Sequence, residues 1–522
     1  MRRGDTIRFL DENPEHQWDV VIIGGGATGL GIAMDAASRG YQVLLLEQHD
    51  FAKATSSRST KLVHGGVRYL AQGDIKLVFE ALHERGLLLQ NAKHVAHDLL
   101  FVVPSYHWWD SLFYAVGLKM YDLLSGKLSL GASKLIGSKK VSLVLPTIER
   151  KGLTSGIIYH DGQFDDVRLA INIAQTATEK GGRVLNYMQV RTLLKDKGGK
   201  INGVEAADLE TGKTYSLRSK VVVNATGVFV DQVMSMDDRG KPAMVRPSQG
   251  THLVLDRSFM PSDHALMIPK TSDGRVLFAI PWHGKLLVGT TDTPINESSL
   301  EPRALEEEVA FILSNFGQYV QRKPTKKDVL SVFSGLRPLA RPSGENKNTK
   351  EISRNHKILV SASGLVTIIG GKWTTFRKMA EETLDEAIKV GKLAPETCVT
   401  HHLAIHGSDK VSKRKSMLSV YGSDADKILA LMEQQPALSE KLHANYDYVK
   451  AQVVWAVHNE MARTVEDFLA RRIRILFLDA RAAIAMAPLV AEVLRAELVK
   501  DESWKMSQIA AFEELARGYL LP

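Results

Sequence analysis

The chain has 522 residues, enough for two or three domains with full hydrophobic cores. Its 44% hydrophobic and 24% charged content suits a soluble globular protein, it holds no run of 18 apolar residues, and its single cysteine, Cys398, excludes an internal disulfide and any cysteine-based metal site. A net charge of +8 and a pI near 9.2 favour anionic partners such as a phosphorylated substrate or a membrane surface, whereas the dispersed basic residues form no nucleic-acid recognition module.

Residues 1–17 are polar and read as a loose arm, basic at its start but without the apolar segment of a secretory signal. An apolar strand, Asp19 to Ile23, then runs into Gly24-x-Gly26-x-x-Gly29, an alanine-rich helix to Arg39, and a second apolar strand, Val43 to Leu46, that ends on Glu47. Each part has a physical job. Gly24 permits the tight turn, Gly26 lets backbone approach a pyrophosphate, and Gly29 lets helix and strand pack closely. The helix start, with Ala27 and Thr28, offers unpaired N–H groups to phosphates. Glu47, 18 residues after Gly29, can accept from ribose hydroxyls. This constellation predicts a dinucleotide site.

Residues 76–164 mix helical patterns with aromatic stretches. Trp108 to Tyr121 fits a buried aromatic core or a membrane interface. Asp165-Asp166 caps a helix on which Val167, Ala170, Ile171 and Ala174 keep helical spacing. Ile201 to Glu210 and Thr214 to Leu217 read as a hairpin around Thr211-Gly212-Lys213. A buried strand, Val221 to Val223, then ends in Asn224-Ala225-Thr226-Gly227. Residues 241–340 are strand-rich, and 358–370 form a strand and turn before a helix to about 391. After about 395 helical spacing dominates. Arg471-Arg472-Ile473-Arg474 there reads as a solvated basic face or a contact to acidic membrane.

Three segments place a basic residue just beyond glycine: His64-Gly65-Gly66-Val67-Arg68-Tyr69, Gly335-Leu336-Arg337-Pro338 and Gly370-Gly371-Lys372-Trp373-Thr374-Thr375. Glycines let backbone approach a flat ring system, and the cation beyond can meet an anion. The hydroxyls of Thr55, Ser56 and Ser57, with Lys61 after them, can bond ribityl or phosphate oxygens.

Taken together, these motifs resemble the FAD-dependent sn-glycerol-3-phosphate dehydrogenases of the aerobic, quinone-linked type. Asp165-Asp166-x-Arg168-Leu169, Ile280-Pro281-Trp282, Gly289-Thr290-Thr291-Asp292, Ser334-Gly335-Leu336-Arg337-Pro338-Leu339 and Ala462-Arg463-Thr464-Val465-Glu466-Asp467-Phe468-Leu469 add to the likeness. The resemblance implies an α/β FAD-binding domain, Rossmann-like and of amino-acid-oxidase type, built from 18–75, 165–240 and 341–395. It implies a strand-rich substrate-binding domain from 76–164 and 241–340, and an all-α C-terminal domain over 396–522.

It also implies non-covalent FAD held by Gly24, Gly26, Ala27, Thr28, Gly29, Glu47, Thr55, Ser56, Ser57, Lys61, His64, Gly65, Val190, Ala225, Thr226, Gly227, Gly335, Gly370, Gly371 and Lys372. Glycerol 3-phosphate would be bound by Arg68, Tyr69, Arg337, Arg354 and Lys372, cations being suited to a phosphate dianion. Oxidation at C2 needs a base near neutral pH, for which His252 is the candidate with His64 behind it, while Arg337 or Lys372 stabilises charge. No metal is expected. The expected partners are a membrane quinone, the inner face of the cell membrane reached peripherally from the cytoplasm, and a second copy in a homodimer. An oxygen-using oxidase, or an amine or amino-acid oxidase of the same fold, is the alternative.

Overall fold

Strand β1 (Gln17–Ile23) alternates between two cores. Val20 and Ile22 face one, Val21 and Ile23 the other, so both faces of its sheet are covered. The computed structural model describes residues 1–66, 74–240, 242–341, 356–409 and 417–522, and no side chain of 108–113. β1 pairs in parallel with β2 (Val43–Leu46) and β10 (Thr214–Asn224). Beyond them lie β7 (Arg183–Leu185) and β18 (Leu365–Ile369), also parallel, and β17 (Lys357–Val360) closes one edge antiparallel. The predicted hairpin forms: β9 (Ile201–Asp208) pairs with the first half of β10 and with β8 (Met188–Lys195).

Helices α2 (Ala27–Ser38), α5 (Asp166–Glu179) and α7 (Phe376–Gly391) cover one face of this sheet, their Leu30, Ile171 and Phe376 sharing a core with Val20 and Ile22. The Asp165 carboxylate accepts from Arg168 N at 3.1 Å and caps α5, as its position predicts.

The second sheet runs β15 (Thr293–Pro294), β11 (Val245–Asp256), β14 (Lys285–Gly289), β13 (Leu277–Trp282), β12 (Ala265–Ile268), β4 (Ala96–Ser105), β6 (Ser155–Phe164) and β3 (Leu62–Val63). β16 (Val329–Ala340) pairs with β11, and β5 (Lys134–Gly137) with β6. Leu253 and Leu255 of β11 pack under Val309, Ile312 and Phe316 of α6 (Glu306–Gly317). Val254, Trp282, Leu287 and Phe333 on the opposite face share a core with the C-terminal helices. Those helices are α9 (Lys450–Glu460), α10 (Ala480–Glu497) and α11 (Glu502–Arg517), while α8 (Ala425–Gln434) packs through Ile428 in a separate cluster with Tyr421 and Trp455, and a small hairpin lies at 441–449. An α/β unit, a sheet-rich unit and a helical C-terminal domain are therefore present, the fold class expected.

Two expectations are corrected. The amino-terminal arm is a helix, α1 (Arg3–Glu12), docked by the buried Leu10, by Arg3 on Asp208 at 2.6 Å, and by Arg183 stacked 3.7 Å from the Phe9 ring centre. The basic run Arg471–Arg474 is neither a solvated face nor a membrane contact. All three arginines are buried, and they meet Asp50, Asp467, Glu466, Glu460, Asp165 and Asp166.

In the aromatic stretch, Tyr121 lies buried at the end of α4 (Trp108–Ser125), donating to Asp161 at 2.7 Å.

Candidate functional site

A cleft of about 1430 Å³, its open mouth included, lies where β1, β2 and β10 end. Gly24 opens it with φ +109°, a conformation that side chains disfavour. A Cβ on Gly29 would strike the Gly24 carbonyl, so Gly29 lets α2 approach the turn and does not itself line the cleft. Gly26, Ala27 and Thr28 at the start of α2 line it, which points the positive end of that helix inward.

Glu47, at the tip of β2, lines the same cleft. Its two oxygens accept from Gly25 N at 2.6 Å and His49 N at 2.8 Å. Burial pushes its pKa up, against these two bonds. The carboxylate thus ties the glycine turn to the loop after β2. Thr55 and Ser56 line the cleft too, Ser56 Oγ accepting from Ala27 N at 2.9 Å and Thr55 Oγ1 donating to Leu336 O at 2.6 Å. Val190, Ala225, Thr226, Gly227, Gly370, Gly371 and Lys372 complete the opposite wall.

Other expected residues lie elsewhere. Ser57 is buried and turned onto the Lys53 and Ala54 carbonyls. Lys61 is a correction: its ammonium is fully buried on Asp166 (2.6 Å) and Ser57 O (2.7 Å), below the loop rather than in the cleft. Gly65 packs between Leu82 and Tyr121, its N–H on Tyr121 Oη at 2.7 Å, and Gly335 lies against Arg58. His64 sits at the junction of the two sheets, its N–H donating to Thr374 Oγ1 at 3.2 Å and its ring 6.2 Å from that of Phe278. Arg68, Tyr69 and Arg354 lie outside the described residues.

His252 and Arg337 share a face of the second sheet, because Gly250 pairs with Gly335 and His252 with Phe333. A Cβ on Gly250 would collide with the Arg337 guanidinium, so glycine there lets the side chain lie across β11. Arg337 donates to Thr291 O (3.0 Å), Gln249 O (3.3 Å) and Thr290 Oγ1 (3.3 Å), with Asp292 at 3.4 Å. His252 stacks on Phe333 and meets Thr60 Oγ1 at 3.0 Å. It is 2% exposed and does not line the cleft. Burial, with Lys61 and Arg337 nearby, holds its pKa well below the usual value. The sequence predicts a base titrating near neutrality, whereas burial makes this imidazole harder to protonate than a free one.

Sequence reasoning missed His49, Lys53, Met188, Gln189, Gln232 and Trp373, which also line the cleft. Trp373, inside a motif already singled out, donates Nε1–H to Ser56 O at 2.9 Å and so couples two loops that line the cleft. The others carry no local signal. Glu381, Cys398 and His401 bring ligand atoms within 4.8 Å of one another, but the Arg377 guanidinium already meets Glu381 at 3.0 Å and Cys398 Sγ at 3.9 Å.

Fold and cleft together define a dinucleotide-binding α/β protein: a glycine turn, an inward helix start and a strand-end carboxylate form a cradle that fits a flavin dinucleotide. Residues 19–377 match the family described as FAD dependent oxidoreductase, and 366–505 the C-terminal domain of alpha-glycerophosphate oxidase. The chain is 40% identical to the mitochondrial glycerol-3-phosphate dehydrogenase of Arabidopsis thaliana, over 96% of this chain and 86% of that one. It is 37% identical to the mitochondrial enzyme of Homo sapiens, over 97% and 73%. Among solved structures it resembles the glycerol-3-phosphate dehydrogenase from Bacillus halodurans complexed with FAD (TM-score 0.81, 30% identity, 100% of this chain and 99% of that one). Glycine oxidase from Geobacillus kaustophilus, at 17% identity and TM-score 0.53 over 77% and 100%, shares the fold alone. The chain belongs to the FAD-dependent glycerol-3-phosphate dehydrogenase family, and FAD is its cofactor.

Proposed function

We propose that this chain oxidises sn-glycerol 3-phosphate at C2 to dihydroxyacetone phosphate and passes the electrons to a membrane quinone. The observation that carries this reading is likeness along almost the whole chain to relatives named as glycerol-3-phosphate dehydrogenases, joined to an FAD-fitting cleft with Lys372 on its wall. Gly24, Gly26, Ala27, Glu47, Thr226 and Gly370 would hold FAD without a covalent link. When bound, FAD supplies a two-electron acceptor for the hydride leaving C2. Arg337 and Lys372, with Arg68, Tyr69 and Arg354, bind the phosphate and orient C2 by charge-assisted bonds. His252 is the residue proposed to take the hydroxyl proton, with His64 the second candidate.

Electron delivery to quinone calls for a membrane surface. Val116, Met120 and Leu123 of α4 are exposed at helical spacing on one face, and Phe79 is exposed on the neighbouring α3 (Ile75–Asn91). Among the described residues no helix is long and apolar enough to cross a membrane. With a net charge of +8, this supports peripheral attachment to an anionic surface, proposed to be the cytoplasmic face of the cell membrane, by a homodimer. The match of the C-terminal region to an oxidase domain favours a second reading, electron transfer to oxygen.

Turnover with a quinone analogue, compared with oxygen alone, separates the two. Rapid peroxide formation without quinone would overturn the dehydrogenase reading. Flotation with anionic liposomes at low salt tests attachment, and protein that stays at the bottom would refute it.

A further inference from the structure

Glu308 and Arg337 act on the same two segments from opposite faces of the second sheet. Glu308 is 3% exposed, at the third position of α6. Its carboxylate accepts from Thr251 Oγ1 (2.6 Å), Thr291 Oγ1 (2.7 Å), Thr293 Oγ1 (2.7 Å), Gln249 Nε2 (2.8 Å) and Leu305 N (3.1 Å). None of these partners is a cation. A buried carboxylate held only by neutral donors is costly. Capping α6 accounts for the bond to Leu305 alone. The four side-chain donors all come from 249–251 and 291–293.

Those segments supply three acceptors of Arg337, the carbonyls of Gln249 and Thr291 and the Asp292 carboxylate, and the adjoining Thr290 hydroxyl is a fourth; Ser248 also bonds Asp292. Gly250, between two of the anchored residues, leaves the space the guanidinium occupies. From behind the sheet, Glu308 therefore fixes the separation of two backbone segments. From the front, Arg337 is aimed by their carbonyls. We propose that Glu308 is a positioning residue for anion recognition, holding the Arg337 guanidinium in one orientation by clamping 249–251 to 291–293. This rests on the reading of Arg337 as a phosphate-binding residue. None of the residues Glu308 bonds lines the FAD cleft, so its removal leaves the cofactor in place.

The test uses FAD-loaded enzyme and inorganic phosphate as probe, titrated by calorimetry, with glycerol 3-phosphate kinetics measured alongside. Glu308→Gln is expected to weaken phosphate by roughly 10-fold, the factor carried by one charge-assisted hydrogen bond. KM for glycerol 3-phosphate rises with it, and the FAD content stays that of the parent. Thr291→Val, which removes one donor and no charge, moves the same quantities in the same direction and carries the test should Glu308→Gln fail to fold. Added to Arg337→Ala, Glu308→Gln weakens phosphate no further. Unchanged phosphate affinity in both variants, or an equal loss in the Arg337→Ala background, overturns the proposal. Parental phosphate affinity in Arg337→Ala overturns it as well, together with the role given to Arg337. Phosphate binding as expected without any oxidation of glycerol 3-phosphate leaves Glu308 in its role and refutes only the proposed activity.

Discussion

Arg472 grips Asp50 through both nitrogens, at 2.7 and 2.9 Å, across 422 residues of chain and with both side chains fully buried. Arg471 Nε adds a second cation to the same carboxylate at 2.5 Å. Asp50 belongs to the loop that follows Glu47 and turns into Thr55 and Ser56, so the helical C-terminal domain holds a loop of the cleft wall. Burial alone would raise the Asp50 pKa, but the two arginines keep it below the usual value. Arg472→Ala leaves a buried carboxylate half-paired. The expected loss is about 3–5 kcal/mol of unfolding free energy, measured by denaturant titration, with FAD released at lower denaturant. A variant as stable as the parent would show that the pair contributes nothing net.

Glu47→Ala removes the acceptor of Gly25 N and His49 N at the cleft wall. FAD affinity is expected to fall by about 1–3 kcal/mol, roughly 5- to 150-fold. Flavin fluorescence during dialysis reads this directly, and an unchanged dissociation constant would remove Glu47 from the cofactor site.

His252→Gln keeps a hydrogen-bonding side chain opposite Thr60 and takes away the base. Flavin reduction in stopped flow is expected to slow by roughly 10²- to 10⁴-fold with FAD still bound. Reduction at the parental rate would pass the role to His64, which lies beside Thr374.

The pH dependence of stability has two limbs. His406 lies between Glu179 (2.5 Å) and Asp424 (2.7 Å), joining the end of α5 to the C-terminal region. Burial would lower its pKa, but the bonds to Asp424 and Glu179 outweigh that and raise it from 6.5 to about 9. Its stabilisation is complete below 6.5 and is lost as pH rises through about 9. His49 and His94 behave oppositely. Burial lowers both from 6.5 to about 4, so their contribution is present above 6.5 and is lost as pH falls toward 4. His406→Gln is expected to flatten the alkaline limb and leave the acid limb, as read by denaturant midpoints. An unaltered alkaline slope would place that loss in another group.

What the sequence made legible was local. The βαβ fingerprint, the Asp165 cap and the 201–217 hairpin each depend on residues of one short continuous stretch of chain. What it hid depends on distant partners. Arg471, Arg472 and Arg474 look like a solvated patch until folding brings Asp50 and Asp166 beside them from more than 300 residues away. Lys61 is the same case, drawn beneath its loop by Asp166 rather than facing the cofactor. The helix α1 carries too little apolar surface to stand alone. It folds because Arg3 and Phe9 meet Asp208 and Arg183 on the finished α/β unit. The Asp165-Asp166-x-Arg168 motif, quoted for family likeness, docks the C-terminal domain: Arg168 holds Glu460 at 2.6 and 3.0 Å, and Asp166 holds Arg474 at 2.9 Å.

The central claim is that the bound flavin is reduced by glycerol 3-phosphate. Mixing the yellow holoenzyme with glycerol 3-phosphate in the absence of oxygen measures it in one step. The flavin absorbance is expected to bleach, glycerol is expected to leave it unchanged, and Arg337→Ala is expected to bleach only at far higher substrate. A flavin that stays oxidised with glycerol 3-phosphate, or that glycerol bleaches equally well, would contradict the account.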